Sequence, residues 1–301
     1  MSIDLKLNID ETPIQKINHS ILVENKVSLF VKRDDLTHPL INGNKWRKLK
    51  YNLAHAKENN INQLISFSGP FSNHLFALAS ASRLFNFDTE VIVRGPELDA
   101  DNPCLKFAAA CGVKLTPVNR LTYKRRYDLN YLAELQQSKP KSLIIPEGGS
   151  NQLALKGMIE LAQSLPKIDE VWCATGSGGT LAGLIEGLPE TTKIRGVAVL
   201  KQADYLNETI KQLSPKAQQQ NNWRLLTDFH YGGYGKFSEE LWHFCQNLRD
   251  QLPLEPIYTG KLFFTLFKLI EQGHFAAGSK IMAIHTGGLQ GLSGLKYRKL
   301  I

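Results

Sequence analysis

The 301-residue sequence lacks the features of several large protein classes. It has no apolar run near the roughly 20 residues of a membrane-spanning helix, and its first residues have neither the basic start nor the apolar stretch of a signal peptide. Its four cysteines form no CxxC pair and no metal-ligand spacing with the histidines. We therefore expect a reduced, cytoplasmic protein with no metal site and no membrane segment.

Acidic residues are fewer than basic ones, 28 against 36, which gives a net charge of +8. Such an excess of positive charge could bind a nucleic acid or an anionic small molecule. The cations are dispersed, and the two clusters at 45–50 and 124–126 lie in no recognisable nucleic-acid-binding module. The pattern favours a solvated surface and predicts no nucleic-acid partner.

The sequence does contain an alternation of short apolar runs with helical stretches. The runs lie at 63–67, 90–94, 142–146, 170–174, 194–199 and 280–285. The helical stretches lie at 46–58, 72–86, 103–111, 151–164, 179–187, 238–250 and 260–272. This alternation predicts an α/β protein with two doubly wound parallel sheets, the first three runs in a smaller sheet and the last three in a larger one.

The length is sufficient for two domains. We expect residues 1–48 together with 150–301 to form the larger domain. Residues 49–149 would form a smaller inserted α/β domain, with a hinge near 146–150.

Lys45 ends a short glycine-bearing loop, 42–45, where a helix is predicted to begin. Apolar residues at helical spacing give this helix one buried face: Trp46, Leu49, Leu53 and Ala56. The intervening cations are expected to face water: Arg47, Lys48, Lys50 and Lys57. A lysine in a dry site beside a helix start and other cations has a lowered pKa and can attack an aldehyde. Lys45 is therefore a candidate nucleophile, and one more solvated cation is the alternative.

Two strand-to-helix turns carry groups that bind anions. Ser72 and Asn73 follow the run at 63–67 and suit a carboxylate, although helix capping alone would also explain them. The second turn offers backbone N–H groups and three hydroxyls to a phosphate: Thr175, Gly176, Ser177, Gly178, Gly179 and Thr180. Leu181 stands where a dinucleotide fingerprint needs glycine, and no Gly-Lys-Ser/Thr follows, so we do not expect a nucleotide.

Two tyrosines and a threonine lie in comparable loops. Tyr234 stands among glycines and Tyr258 stands before Thr259-Gly260. Either phenol could lie against a flat ligand or relay a proton, or could pack as a loop aromatic. Thr286 follows the run at 280–285, where its hydroxyl can reach a ring nitrogen at the sheet edge.

Taken together, these segments resemble the fold type II pyridoxal-phosphate enzymes of tryptophan synthase β-like architecture, specifically the family of D-cysteine desulfhydrase and 1-aminocyclopropane-1-carboxylate deaminase. The matching segments occur in order along most of the chain: Thr12-Pro13, 31–37, 43–49, Ser72-Asn73-His74, 146–150, 175–178, 233–235, 256–260 and 286–288. The resemblance implies pyridoxal 5'-phosphate as cofactor, a small amino acid as substrate and a homodimer.

The resemblance also implies a role for each candidate residue. Lys45 carries the cofactor as a Schiff base and later moves protons at the substrate α-carbon. The loop from Thr175 to Thr180 holds the cofactor phosphate, and Ser72 meets the substrate carboxylate. The remaining residues lie beside the pyridoxal ring or flank the reacting atoms: Asn44, Asn73, Tyr234, Tyr258, Thr259 and Thr286.

Thr259 and Thr286 bear on the choice of substrate. In the family that this chain resembles, the ring-opening deaminases have a glutamate directly after the second tyrosine, and this glutamate pairs with the ring nitrogen. They also have a leucine before the last Gly-Gly. A hydroxyl cannot protonate that nitrogen as a carboxylate can, so threonine resembles the desulfhydrase pattern. We therefore predict β-elimination from D-cysteine to pyruvate, ammonia and sulfide.

Two alternative functions and one departure from the family's sequence pattern accompany that prediction. Deamination of 1-aminocyclopropane-1-carboxylate is the close alternative, and a protein that binds the cofactor without turnover is an alternative of another class. Phe71 and Leu75-Phe76-Ala77 stand where the family usually has glutamine and a polar Arg-Gln. They predict a substrate pocket that is more apolar or differently shaped.

Overall fold

A computed structural model describes residues 11–301. The strands are β1 (Ile14–Lys16), β2 (Ser28–Lys32), β3 (Gln63–Ser68), β4 (Asp88–Arg94), β5 (Lys114–Val118), β6 (Ser142–Ile145), β7 (Glu170–Thr175), β8 (Lys193–Ala198), β9 (Trp223–Leu226) and β10 (Lys280–Ile284). The α-helices are α1 (Ser20–Glu24), α2 (Asn44–Glu58), α3 (Asn73–Phe85), α4 (Pro103–Ala110), α5 (Arg120–Lys124), α6 (Leu129–Ser138), α7 (Gln152–Gln163), α8 (Gly179–Gly187), α9 (Tyr205–Leu213), α10 (Pro215–Gln219), α11 (Glu239–Asn247), α12 (Thr259–Glu271) and α13 (Gly291–Tyr297).

The strands form two sheets, as predicted. The larger sheet has the order β1-β2-β10-β7-β8-β9, and the smaller has the order β5-β4-β3-β6. All neighbouring strands are parallel except β1, which pairs antiparallel with β2. The fold prediction is confirmed, and the six predicted runs divide between the sheets as expected.

The central strands are buried on both faces, because helices cover both sides of a parallel sheet. Every residue of β7 is buried, as are five of the six residues of β3. Helix α12 contributes a continuous block of buried side chains to the core of the larger sheet, including Phe263 and Leu266. Within residues 11–301, the structure contains no helix with the length and apolarity needed to cross a membrane.

Helix α2 lies between the two sheet regions, where it contacts α7 on one side and α3 on the other. The predicted domain boundary at residue 48 falls inside this helix. The division into 1–48 with 150–301 and 49–149 therefore stays a prediction. The carboxyl ends of β3, β7 and β10 lead directly into the turns that carry most of the candidate residues, which is where parallel sheets bind ligands.

Candidate active site

The turn before α2 fixes the position of Lys45. Gly43 has φ +65°, and a Cβ at this residue would lie 1.9 Å from the carbonyl oxygen of Thr286, so only glycine allows the turn to pack against the chain after β10. The Gly43 N–H donates to the Asp34 carbonyl at 2.8 Å. Arg47, one turn into α2, donates two hydrogen bonds of 2.5 and 2.9 Å to the buried Asp34 carboxylate. The start of α2 is thereby anchored to the larger sheet.

The Lys45 amine lies in a partly accessible cleft. Its Nζ donates to Asn44 Oδ1 at 3.0 Å, and Asn44 Nδ2 donates to Thr180 Oγ1 at 2.8 Å. Burial lowers the pKa of Lys45 from 10.5 to about 8. Asn44 therefore links the amine to the glycine-rich loop. With this pKa about a tenth of the amine is neutral at pH 7.

Lys48 is buried in the structure, and the expectation that it faces water was wrong. Only 2% of its surface is exposed. Its Nζ donates to Ser150 Oγ at 2.9 Å and lies 3.4 Å from Ser177 Oγ. Burial, and then the charge of Lys45, lower the pKa of Lys48 well below its ordinary value. Lys48 follows Lys45 by three residues, so the two side chains lie on the same helix face. This spacing was the one sign in the sequence that Lys48 lies near Lys45.

The glycine-rich loop and Lys48 bring several anion-binding groups close together. Ser150 Oγ and Ser177 Oγ are 2.8 Å apart, and a Cβ at Gly179 would lie 2.5 Å from Ser150 Oγ. Gly178, with φ +80°, precedes α8 without a side-chain cap, so the first N–H groups of α8 remain available to an anion. An ammonium, two hydroxyls and a helix start converge on this point.

Two residues of the predicted phosphate loop have other neighbours. The Thr175 hydroxyl oxygen lies 2.6 Å from the Cβ position of Gly196 on the adjacent strand β8, within the sheet. Gly176 lies beneath Tyr258, because a Cβ there would lie 3.1 Å from Cε1 of that ring. The loop thus contacts both the sheet and the tyrosine pair.

The start of α3 faces the chain that follows β10. Ser72 is the N-cap of α3, and its hydroxyl accepts from the His74 N–H at 3.1 Å. Asn73 Oδ1 accepts from Gln290 Nε2 at 3.3 Å, and Asn73 Nδ2 lies 2.7 Å from the Cβ position of Gly288. Ser72, Asn73 and the loop after Thr286 therefore border one cleft.

His74 has a buried ring nitrogen that lacks a partner among residues 11–301. The Ser66 hydroxyl donates to the Ile145 carbonyl at 2.8 Å, so at the 2.8 Å contact between Ser66 Oγ and His74 Nε2 the imidazole is the donor. Burial, and then the charges of Lys45 and Lys48, lower the pKa of His74 to about 3. The neutral ring therefore presents Nδ1 as an acceptor.

Tyr234 and Tyr258 meet edge to face, with ring centroids 6.0 Å apart and an interplanar angle of 73°. Tyr258 immediately precedes α12, and its N–H donates to Glu255 Oε1 at 2.9 Å. The Thr259 N–H and hydroxyl also donate to Glu255, at 2.7 and 3.1 Å. Burial raises the pKa of Glu255 to about 7. Sequence reasoning missed this carboxylate, although an acidic residue directly ahead of Pro256 and a helix start is a capping signal.

The apolar residues around Ser72 pack in three different ways. Phe71 lies under the Arg298 guanidinium at 4.7 Å, and Phe76 stacks on Phe107 with centroids 4.0 Å apart. Leu75 is fully buried in the core of the smaller sheet. Phe71 and Phe76 also line a small cavity beside Ser72 and Asn73, so they give that wall of the cleft an apolar surface.

Comparison with known proteins identifies the family. The family model described as pyridoxal-phosphate dependent enzyme matches residues 5–287. A putative 1-aminocyclopropane-1-carboxylate deaminase of Pyrococcus furiosus is 33% identical, with 93% of this chain and 90% of that protein covered. The mitochondrial bifunctional D-cysteine desulfhydrase/1-aminocyclopropane-1-carboxylate deaminase of Arabidopsis thaliana is 31% identical over 93% of this chain and 77% of its own length.

A solved structure agrees with these relatives. The crystal structure of an ACC deaminase homologue superposes with a TM-score of 0.84 at 30% identity, covering 98% of this chain and 94% of that one. The resemblance drawn from the motifs is thereby confirmed, together with the cofactor. The chain belongs to the pyridoxal-phosphate dependent enzymes, within the group whose members are named for 1-aminocyclopropane-1-carboxylate deaminase and D-cysteine desulfhydrase.

Proposed function

We propose that this enzyme catalyses β-elimination from D-cysteine or a similar small β-substituted amino acid. With D-cysteine, one water is consumed and pyruvate, ammonia and hydrogen sulfide are released. The observation that carries the proposal is Thr259, a neutral hydroxyl directly after Tyr258, fully buried and hydrogen-bonded to Glu255.

The residues present fit pyridoxal phosphate. Lys45 supplies an amine whose pKa of about 8 suits reaction with an aldehyde. Lys48, Ser150 and Ser177 supply an ammonium and two hydroxyls to a phosphate group. A Cβ at Gly179 would lie 2.5 Å from Ser150 Oγ and 3.2 Å from Lys48 Nζ, so glycine leaves the space beside these groups open. When bound, the cofactor ring withdraws the electron pair left at the substrate α-carbon.

The protein's own residues would orient the substrate and handle its proton. The start of α3, with Ser72 at its cap, binds the α-carboxylate through N–H groups and a hydroxyl. The Lys45 amine would take the α-proton, and its lowered pKa suits it to hold and return a proton near pH 8. Tyr234 and Tyr258 cover the opposite side and limit access of water.

Thr259 favours elimination over ring opening for an electrostatic reason. A carboxylate facing the cofactor ring nitrogen would hold it protonated, whereas a hydroxyl does so less strongly. Loss of a thiolate from the β-carbon needs less electron withdrawal than opening of a cyclopropane ring. A threonine in this position is therefore adequate for D-cysteine and less adequate for the cyclic substrate.

A substrate panel tests the proposal. Purified enzyme would be assayed with D-cysteine, L-cysteine, D-serine and 1-aminocyclopropane-1-carboxylate, with sulfide, pyruvate and 2-oxobutyrate measured separately. We expect the highest kcat/KM for D-cysteine, with sulfide and pyruvate in equal amounts. Lys45→Ala is the matched control and should give neither product. Turnover of the cyclic substrate alone would contradict the proposal.

Deamination of 1-aminocyclopropane-1-carboxylate is the second candidate, because the relative from Pyrococcus furiosus carries that name. The variant Thr259→Glu with Thr286→Leu separates the two. If the native threonines select D-cysteine, the double variant should lose sulfide production and gain formation of 2-oxobutyrate. Native enzyme that already forms 2-oxobutyrate at the higher rate would favour this second candidate.

A further inference from the structure

Lys261 is a fully buried lysine that none of the site chemistry above employs. It lies in the first turn of α12, two residues after Thr259, and none of its surface is exposed. Its Nζ donates to the Gly233 carbonyl at 2.7 Å and approaches the Val199 carbonyl at 3.4 Å. Among residues 11–301, no carboxylate lies within salt-bridge distance of this ammonium. Burial of a cation against carbonyls alone is costly, which suggests a specific role.

The carbonyl that Lys261 holds belongs to the loop that carries Tyr234. This loop has an unusual backbone, with φ of +45° at Tyr231 and of +93° and +95° at Gly232 and Gly233. Conformations of this kind persist only where surrounding contacts determine them. Besides Lys261, the one donor to the Gly233 carbonyl among residues 11–301 is the Lys236 N–H at 3.1 Å, within the loop itself. Lys261 therefore provides the tether between this point of the loop and the core.

Tyr234 depends on this loop for its orientation. Tyr234 exposes 43% of its surface, so neighbouring residues pack against only part of the side chain. Its main aromatic neighbour is Tyr258, which is fixed by Glu255 just before α12. The start of α12 and the residues just before it thus hold both tyrosines: Glu255 positions Tyr258, and Lys261 positions the backbone next to Tyr234.

We propose that Lys261 is a positioning residue that sets Tyr234 against Tyr258 through the Gly233 carbonyl. The inference rests on the proposed function, because it assigns Tyr234 to the reacting side of the cleft. Loss of the tether lets the loop move by an ångström or more, and misplacement on that scale lowers turnover about tenfold to a hundredfold. Attachment of the cofactor is expected to be retained, because Lys45 and Lys48 lie on a different helix, α2.

Tyr231→Phe is the matched control. The Thr265 hydroxyl donates to the Lys261 carbonyl at 2.7 Å, so the Tyr231 hydroxyl donates to Thr265 Oγ1 at 3.1 Å. This bond also joins the loop to α12, but it leaves the Gly233 carbonyl untouched. We expect near-native kcat for Tyr231→Phe and a fall of about tenfold to a hundredfold for Lys261→Met, with KM changed little.

A double-mutant cycle tests whether Lys261 acts through Tyr234. If it does, Lys261→Met should lower kcat in the native background and have almost no further effect in Tyr234→Ala, which removes the ring that Lys261 positions. Additive effects of the two substitutions would overturn the proposal. If Lys261→Met does not fold, Lys261→Gln, which keeps a donor of shorter reach, takes its place in the same cycle.

Hydrogen exchange gives a readout that does not depend on turnover. Amides of residues 231–236 should exchange faster in Lys261→Met than in the native protein, while the cofactor absorbance is retained. Unchanged exchange in this segment would overturn the proposal. Absence of D-cysteine turnover in the native enzyme would contradict the proposed function instead, and the cycle would then use whichever amino acid the panel shows to react.

Discussion

Lys45 and Lys48 lie three residues apart on α2 in different surroundings. Lys45 is partly accessible in the cleft, whereas Lys48 is enclosed by Ser150, Ser177 and the Gly148 carbonyl. Both amines have lowered pKa values because burial disfavours the charged form. The accessible amine is suited to covalent chemistry and the enclosed one to binding an anion.

The lowered pKa of Lys45 predicts how the rate at which pyridoxal phosphate attaches to the cofactor-free enzyme depends on pH. Only the neutral amine attacks the aldehyde, and it forms as pH rises through about 8 rather than 10.5. The rate of attachment, followed by absorbance, should therefore rise about tenfold between pH 7 and 9 and then level off. A blocked lysine peptide under the same conditions is the control. A rate that keeps rising beyond pH 10 in the enzyme would contradict the lowered pKa.

Lys48→Met should weaken cofactor binding. The substitution keeps the length of the side chain and removes the ammonium beside Ser150. A charge-assisted hydrogen bond of about 1.5–3 kcal/mol corresponds to a rise of about ten- to hundredfold in Kd, measured by equilibrium dialysis. Lys50→Met is the control, because Lys50 pairs with Glu160 at a partly exposed position. Equal affinities in the two variants would exclude Lys48 from the phosphate site.

At the scale of elements, α2 and α12 place the reactive side chains. Helix α2 begins with Asn44 and Lys45, and α12 begins directly after Tyr258. Gly157 of α7 allows α2 to approach closely, because a Cβ there would lie 2.0 Å from the Arg47 carbonyl oxygen. The position of Lys45 therefore depends on a contact between two helix backbones.

Gly157→Ala should separate α2 from α7. Overpacking at such a contact costs about 1–3 kcal/mol of unfolding free energy, measured by urea denaturation. Cofactor content should fall as well, because the start of α2 carries both site lysines. Gly69→Ala is the control, since its nearest neighbour is the end of the Arg94 side chain at 3.5 Å. If Gly157→Ala had the same unfolding free energy as the native protein, the prediction would be wrong, because α2 and α7 would then accommodate the added methyl group.

The predicted elements are those with a strong apolar pattern. Strands β3 and β7 are rich in apolar residues and almost fully buried, and both were predicted. Helix α6 was missed because none of its residues is fully buried, and β2 was missed because a buried lysine, Lys32, ends its short apolar run. Lys48 was misjudged because residues about 100 and 130 positions away enclose it. Such contacts are set by the tertiary fold and leave no local pattern.

At the scale of the whole molecule, the site is assembled from loops at the carboxyl ends of strands in two parallel sheets. Ser72 follows β3, Gly179 follows β7 and Thr286 follows β10. This arrangement could be anticipated from the sequence, because ligands bind at that edge of parallel sheets. The pairing of Glu255 with Thr259, and of Lys261 with the Tyr234 loop, became visible only in three dimensions.

The attachment point of the cofactor shows which lysine is the reactive one. Borohydride reduction of the enzyme loaded with pyridoxal phosphate, followed by peptide mass mapping, locates the modified lysine. Among residues 11–301, three lysines with lowered pKa lie in the two helices that begin at the site, α2 and α12: Lys45, Lys48 and Lys261. The account predicts modification of Lys45 alone. Modification of Lys48 or Lys261, or of no lysine, would contradict it.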